Sequence, residues 1–346
     1  MKNLLMILLC FMLIPAAAET TKPGEYLGAK TAETPHWFKE SFLEFEEDVA
    51  EAAEQNKRVM LYFHQEGCPY CARLVDENFN NPDIESYIRK HFDGITINMW
   101  GDREIVSVGG KMFTEKTFAE ALKVQYTPTL LFLNEQGRVI LRLNGYYPPD
   151  KFRQALQYVA EKQESKLSFN EFMLAGKTST TGSLIAEDFF SHETNLKSLL
   201  NADKPLAIYF ESADCAECST LHSRILTDAP TRQLVNDMFN VQLNVYSDAK
   251  ITTVDGKKIS QRNYASQLNI GYTPSIILFD KQGREVHRME GFLKTFHFQS
   301  SLAYVLEQAY KTQPSFQRYL SSRGEKLREQ GYDTDIWGYK SSYPKN

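Results

Sequence analysis

The sequence predicts an α/β fold that occurs twice, as two domains in tandem, each with a central mixed sheet flanked by helices. An apolar run typical of a buried strand leads to a Cys-x-x-Cys pair, first at Cys68 and Cys71 and again at Cys215 and Cys218. A helix-like segment follows each pair, and the second pair lies 147 residues after the first. This context is typical of a redox pair of cysteines.

The duplication extends well beyond the cysteines. Thr127-Pro128 corresponds to Thr273-Pro274 at an offset of 146 residues, so the copies stay in register apart from one deleted residue. A repeat of this length far exceeds the roughly 20 to 50 residues of a solenoid unit. Each copy is therefore expected to be a whole domain that buries its own core.

The first 18 residues have the pattern of a secretory signal. Lys2 precedes an apolar run over 4–14, and Pro15 and three alanines follow. The run is shorter than the roughly 20 apolar residues that span a bilayer. A lipid attachment at Cys10 is the alternative, but it would remove nearly the whole signal, and the residue before it, Leu9, is bulky. The sequence therefore predicts export, with Cys10 lost on maturation.

Loss of Cys10 leaves four cysteines, all in the two pairs. A structural disulfide framework would instead spread its cysteines to close long loops. A four-thiolate zinc cage is the other interpretation, and it requires the two equivalent sites to face each other. We favour redox chemistry, without a metal or another cofactor.

Composition excludes one class of partner. The chain has 39 Lys and Arg against 44 Asp and Glu, a formal net charge of −5. Because binding to phosphates requires clustered basic residues, no nucleic-acid partner is expected.

Apolar periodicity and turn residues predict the elements of the first copy in order. They are a helix over 37–55, a strand over 59–63, a helix from Cys68 to about 79, and a helix to 91 with Pro82 first; then a strand over 95–99 parallel to the first, a helix over 114–124 capped by Thr114, a hairpin of 129–133 with 139–143, and a closing helix over 149–162. The second copy repeats this order over about 184–311.

These elements set the predicted boundaries. The first domain spans 19–165, a linker with a Thr-Ser-Thr-Thr-Gly run spans 166–183, the second domain spans 184–312, and a tail spans 313–346. The aromatic residues of the tail are expected to pack on a domain.

The order of elements is that of the thioredoxin fold, and the chain resembles two thioredoxin-like domains in tandem over 36–162 and 184–311. It is most similar to the exported SoxW-like thioredoxins. The residues that carry this resemblance are Leu-Tyr-Phe-His-Gln-Glu-Gly-Cys-Pro-Tyr-Cys at 61–71, Gly-Asp-Arg-Glu at 101–104 and Tyr-Thr-Pro-Thr at 126–129.

The resemblance implies that Pro128 and Pro274 are cis and lie beside the cysteines. Thr127 and Thr273 would then present their backbone to an extended substrate. The alternative is a trans proline that only opens the hairpin strand.

Two departures from ordinary thioredoxins are shared by both copies. Tyr62 and Tyr209 stand where thioredoxins carry a buried Asp, so proton transfer to the resolving cysteine is expected to differ. Gly67 and Asp214 replace the usual Trp.

The mechanism follows from the position of the first cysteine of each pair. Because a helix N-terminus stabilises an anion, Cys68 and Cys215 are predicted to attack as thiolates, and Cys71 and Cys218 to resolve the mixed disulfide. Glu217 lies between the second pair and opposes a thiolate there, so Cys215 is expected to have a higher pKa than Cys68 and to alkylate more slowly.

One further candidate is His222, one helical turn after Cys218. Because the first copy has Val75 at that place, we predict a surface histidine without a catalytic role.

The leading hypothesis is an exported thiol–disulfide oxidoreductase, a periplasmic reductase of protein disulfides. The resemblance implies protein thiol and disulfide partners and a membrane thiol transporter that supplies electrons. The alternatives are a disulfide oxidase or isomerase, and a redox-inert binding or chaperone module.

Overall fold

The computed structural model describes residues 22–174, 182–200 and 203–344. The predicted signal at 1–18 and the Thr-Ser-Thr-Thr run of the predicted linker lie outside these residues. No helix of the described part of the chain is both long and apolar enough to cross a membrane.

The first domain has a four-stranded sheet in the order β3-β2-β6-β7. Strand β2 is parallel to β3 and antiparallel to β6, and it is buried on both faces because helices cover both sides of the sheet. The elements are α1 (Phe45–Glu54), β2 (Arg58–His64), α2 (Pro69–Leu74), α3 (Pro82–His91), β3 (Phe92–Asn98), β4 (Glu104–Val106), β5 (Met112–Thr114), α4 (Glu115–Ala121), β6 (Thr129–Leu133), β7 (Val139–Asn144) and α5 (Pro149–Ala160).

The second domain repeats this topology in the order β13-β12-β8-β9. The predicted fold class, two tandem domains with mixed sheets flanked by helices, is confirmed. Helix α6 (Phe169–Leu174) precedes this domain in the chain, and the elements of the domain are α7 (Leu196–Leu199), β8 (Leu206–Glu211), α8 (Ala216–Thr220), α9 (Ala229–Asn236), β9 (Phe239–Asn244), β10 (Lys250–Thr252), β11 (Lys258–Ser260), α10 (Gln261–Gln267), β12 (Ser275–Phe279), β13 (Glu285–Glu290) and α11 (Thr295–Leu306).

Three local predictions differ from the structure. The first helix starts at Phe45, not at 37, because Leu43 has a φ of 63° and Phe38 packs separately against Tyr62 and Phe79. The loop after β3 contains the short hairpin β4–β5, and β10–β11 repeats it. The helix after each cysteine pair has the predicted extent, but it ends in π-helical turns at 75–79 and 221–225.

The predicted linker is partly helical. Helix α6 lies inside 166–183, and its Phe169 and Phe172 rings contact Tyr158 of the first domain. Met173 is buried as well. The apolar residues at 169, 172 and 173 have the spacing of a helix, but the neighbouring Ser/Thr run favours a linker, so this helix was not predicted.

The tail forms a third layer with the N-terminal segment. It contains α12 (Phe316–Glu329), β14 (Tyr332–Asp335) and β15 (Tyr343–Pro344), and β14 pairs in parallel with β1 (Tyr26–Leu27). The backbone N–H of Gly24 donates to the carbonyl of Arg328 at 2.9 Å. The tail thus packs on the domains as predicted, and it brings the two ends of the described chain together.

The two domains share one apolar core. At their contact, the Tyr126 hydroxyl hydrogen-bonds to His287 and donates to the carbonyl of Arg288 at 2.8 Å. Asn144 donates to Glu290 at 2.8 Å. Helix α11 is buried from Thr295 to Val305, because the tail covers the face that its own domain leaves open.

Candidate active sites

Each cysteine pair occupies the start of a helix. Cys68 is the N-cap of α2 and Cys215 is the N-cap of α8. The backbone N–H of Cys71 donates to the sulfur of Cys68 at 3.0 Å, and that of Cys218 donates to the sulfur of Cys215 at 2.9 Å. Both pairs are disulfides within their own site. The helix start therefore offers each first sulfur a donor that would stabilise a thiolate after reduction.

The Thr-Pro segments lie where the resemblance placed them. The peptide bonds Thr127–Pro128 and Thr273–Pro274 are both cis. The sulfur of Cys68 lies 3.5 Å from the carbonyl oxygen of Thr127. Thr273 lines the cavity that contains Cys215. The structure thus brings the predicted site residues together in each domain, whereas their part in substrate binding stays a prediction.

Tyr62 and Tyr209 lie fully within the core behind the cysteines. Their hydroxyl oxygens are buried and have no hydrogen-bond partner within the described residues. Burial raises the pKa of both phenols, and Glu211 adds to the effect at Tyr209. Neither phenol is therefore an ionised base near neutral pH, unlike the carboxylate that ordinary thioredoxins carry at this place.

His222 is not a surface residue, so that prediction was wrong. Its side chain is only 3% exposed and lies between two carboxylates, with Nε2 at 3.1 Å from Glu211 and Nδ1 at 3.0 Å from Glu187. Burial opposes the charged imidazole, but these two carboxylates outweigh it and raise the pKa of His222.

The sequence contained a signal for this cluster that was not recognised. Glu211 is the charged last residue of an otherwise apolar strand and is 1% exposed. A charge at such a position is almost always paired. The first domain has His64 and Val75 at the two equivalent positions, so the pair belongs to the second site alone.

The surroundings of the first site come from the whole chain. The Tyr70 hydroxyl accepts the backbone N–H of Lys294 at 2.7 Å, and its ring contacts His297 and Trp337 edge-on. The space beside Cys68 is about 140 Å³ and is lined by the N-terminal segment, the second domain and the tail.

The second site is more open. A cavity of about 390 Å³ lies beside Cys215, and its lining includes Glu217, Lys151 from the first domain, and Tyr272. Burial raises the pKa of Tyr272, and the nearby carboxylate of Glu217 adds to this effect. Glu217 therefore lines the cavity, and its expected effect on the pKa of Cys215 stays a prediction.

Both sites define a class of protein. A reversible disulfide at a helix start, beside a cis-proline and on a four-stranded mixed sheet, is the catalytic arrangement of thiol–disulfide oxidoreductases with the thioredoxin fold. The chain belongs to the family of thioredoxin-like domains, which it matches twice, over residues 45–160 and 193–306.

Individual relatives are more distant. A stretch of 106 residues is 28% identical to the thiol:disulfide interchange protein DsbD of Photorhabdus laumondii, and it covers 30% of this chain and 17% of DsbD. A thioredoxin-fold protein from Helicobacter pylori is 23% identical, with coverage of 38% of this chain and 88% of that one and a TM-score of 0.31. A thioredoxin from Thermus thermophilus is 24% identical, with coverage of 34% and 85% and a TM-score of 0.29.

Proposed function

We propose that the protein is an exported, SoxW-like reductase of protein disulfides that works in the periplasm. The observation that carries the redox part is the pair of disulfides, each at a helix start beside a cis-proline. The proposal of export rests on the signal pattern of residues 1–18.

The reaction is a dithiol–disulfide exchange. The thiolate of the first cysteine attacks one sulfur of the substrate disulfide, the substrate S–S bond breaks, and the other substrate sulfur leaves as a thiolate that takes up a proton. The second cysteine then attacks the mixed disulfide and releases the reduced substrate. Two electrons and two protons pass to the substrate, and a membrane dithiol donor would restore the protein's thiols.

The charge around the second site supports the direction of a reductase. The carboxylates of Asp150, Asp214 and Glu217 line the Cys215 cavity, and Lys151 is the one cation that the described residues contribute to that lining. Carboxylates disfavour a nearby thiolate and so destabilise the reduced site. A less stable reduced form makes the couple a better electron donor.

A measured reduction potential tests this proposal. Equilibration of the protein with a dithiothreitol buffer should give potentials below about −200 mV, on the side of thioredoxin at about −270 mV. A value near −120 mV would instead identify an oxidase. Insulin reduction should also be lost in the variant that combines Cys68→Ser with Cys215→Ser, because both attacking thiols are then absent. Full activity of that variant would contradict a redox role for these sites.

A further inference from the structure

The start of helix α12 is bound to the face of the first domain that carries Cys68. The backbone N–H of Phe316 donates to the side-chain oxygen of Gln125 at 2.8 Å. The Gln317 amide donates to the carbonyl of Gln125 at 3.2 Å and accepts from Gln65 at 2.8 Å. These bonds join residues more than 190 positions apart in the chain, so they fix the tail on this face.

Gln65 connects the tail to the predicted substrate contact. Its amide also donates to the hydroxyl of Thr127 at 2.9 Å, and it accepts from the Trp100 indole at 2.7 Å. The Arg318 guanidinium lies over the Trp100 ring, 4.9 Å from its centre. The tail is therefore joined, through Gln65, to Thr127, the residue predicted to contact the substrate.

Other parts of the chain close the remaining sides of Cys68. Leu320 and Ile336 of the tail line the small cavity, together with Leu293 and His297 of the second domain. Tyr70, inside the Cys-x-x-Cys motif, is buried against the second domain. We call residues 316–337 the cap.

Among the residues that the structure describes, which do not include 175–181, no comparable cover lies over Cys215, although Cys215 is only 8% exposed, against 4% for Cys68. The residue equivalent to Gln65 is Ser212, whose hydroxyl lies 3.4 Å from that of Thr273. Both line the cavity of about 390 Å³, and no residue of the described part of the cap is in that lining. This volume falls within the roughly 300 to 1,000 Å³ of ligand pockets, whereas the 140 Å³ beside Cys68 falls below it.

We propose that the cap is an intramolecular inhibitor of the first site, so that protein disulfides react at Cys215 while Cys68 reacts with a protein partner only after the cap has left the first domain. This inference rests on the proposed function for its biological meaning. At Cys215 the exchange is balanced as above, with one substrate sulfur bound and the other released as a thiolate.

The cap is built to leave the first domain without unfolding. Its other contacts are with the N-terminal segment, through the pairing of β14 with β1, and with the second domain, where Tyr319 donates to Glu307 at 3.0 Å and the Phe316 ring lies 5.4 Å from that of Tyr304. Its hydrogen bonds to the first domain join neutral amides, which are individually weak, Arg318 and Glu120 form an exposed pair at 3.7 Å, and the Phe316 and Trp337 rings contact Tyr126 and Tyr70. Opening of the contact between cap and first domain would therefore uncover the side of Cys68 that the cap covers, while the cap keeps its anchor.

A bulky thiol reagent tests the cover directly. The reduced full chain would be treated with a polymer-linked maleimide, and the labelling of Cys68 and Cys215 would be followed by peptide mapping. We expect Cys215 to be labelled at least about tenfold faster than Cys68, since only open molecules expose Cys68. The plateau rate at high pH reports access, and the midpoint of the pH profile reports the thiol pKa, so the two effects separate.

A variant and a control complete the test. Gln317→Ala combined with Leu320→Ala should raise the labelling rate of Cys68 by about tenfold and leave that of Cys215 unchanged. Glu329→Ala, at an exposed position of the same helix, should change neither rate. Equal labelling of the two cysteines in the unmodified chain would overturn the proposal, as would continued protection of Cys68 in the cap variant.

Labelling requires no disulfide reductase activity. A protected Cys68 in a protein that fails to reduce insulin would therefore reject the proposed function and keep the cap. A protein that reduces insulin but has equally accessible cysteines would support the proposed function and reject the cap.

Discussion

His222 and Glu211 form a buried pair behind the second cysteine pair, and the titration of His222 should control the stability of the second domain. Because the folded-state pKa of His222 is raised, its stabilisation is complete below the unfolded value of about 6.5 and is lost as pH rises through the raised pKa. Replacing His222 by Gln leaves the Glu211 carboxylate buried, with the Gln242 amide at 3.0 Å as its hydrogen-bond donor. The replacement should lower the free energy of unfolding by about 3 kcal/mol at pH 6. Urea unfolding at pH 6 and pH 9 measures both effects.

The first domain supplies the control for this prediction. Glu211→His together with His222→Val reproduces the His64 and Val75 arrangement of the first site and removes the buried charge. The double variant should be more stable than the His222→Gln variant, and its free energy of unfolding should change less between pH 6 and pH 9 than that of the unmodified chain. A single His222→Gln variant with unchanged stability at pH 6 would contradict the assigned role of the pair.

At the scale of elements, Arg58 joins three parts of the first domain. It lies at the start of β2, donates to the Val159 carbonyl of α5 at 2.6 Å, and pairs with Glu164 at 2.7 Å and with Glu135 at 3.1 Å. The bond from Arg58 lowers the pKa of Glu135 to about 2. This stabilisation is present above the unfolded pKa near 4.3 and is lost as pH falls towards 2.

We predict that Arg58→Met destabilises the first domain by about 3 kcal/mol at pH 7, because it removes the buried guanidinium that pairs with Glu164 and Glu135. Trp37 and Trp100 lie in the first domain, so their fluorescence reports its unfolding in urea when the third tryptophan, Trp337 of the tail, is replaced by Phe in every variant. Arg89→Met is the matched control, since Arg89 is 59% exposed and its pair with Glu85 contributes less than about 1 kcal/mol. Similar losses in the two variants would refute the linking role of Arg58.

At the scale of the whole molecule, His287 makes the contact between domains sensitive to acid. Its side chain is buried beside Tyr126 of the other domain, and burial lowers its pKa to about 3. The stability that depends on neutral His287 is complete above about pH 6.5 and is lost as pH falls towards 3.

Between pH 7 and pH 5 the unfolded chain binds a proton at His287 that the folded molecule does not bind, and this difference should lower the free energy of unfolding by about 2 kcal/mol. The His287→Gln variant should lack this loss. Subtracting its change in unfolding free energy from that of the unmodified chain removes the opposite effect of His222, which both proteins share. Parallel titrations of variant and unmodified chain would show that His287 does not control the contact.

The sequence by itself determined the chemistry and the repeated fold. Strand periodicity, the two Cys-x-x-Cys pairs and the Thr-Pro segments are local patterns, and local patterns specify elements and their order. Even the missed helix α6 had a local signal in the spacing of its apolar residues. These predictions succeeded because the interactions behind them join residues that are near in sequence or repeat at the same offset.

Only the tertiary structure decided how the two sites differ. His222 is buried with a raised pKa because Glu211 and Glu187, the latter 35 residues before it, lie next to it, and Cys68 is covered because Gln317 reaches Gln65 from 252 positions away. No periodicity records such contacts, since they depend on how the domains and the tail pack together. Two sites with the same motif therefore acquire different access and different electrostatics from surroundings that the motif does not contain.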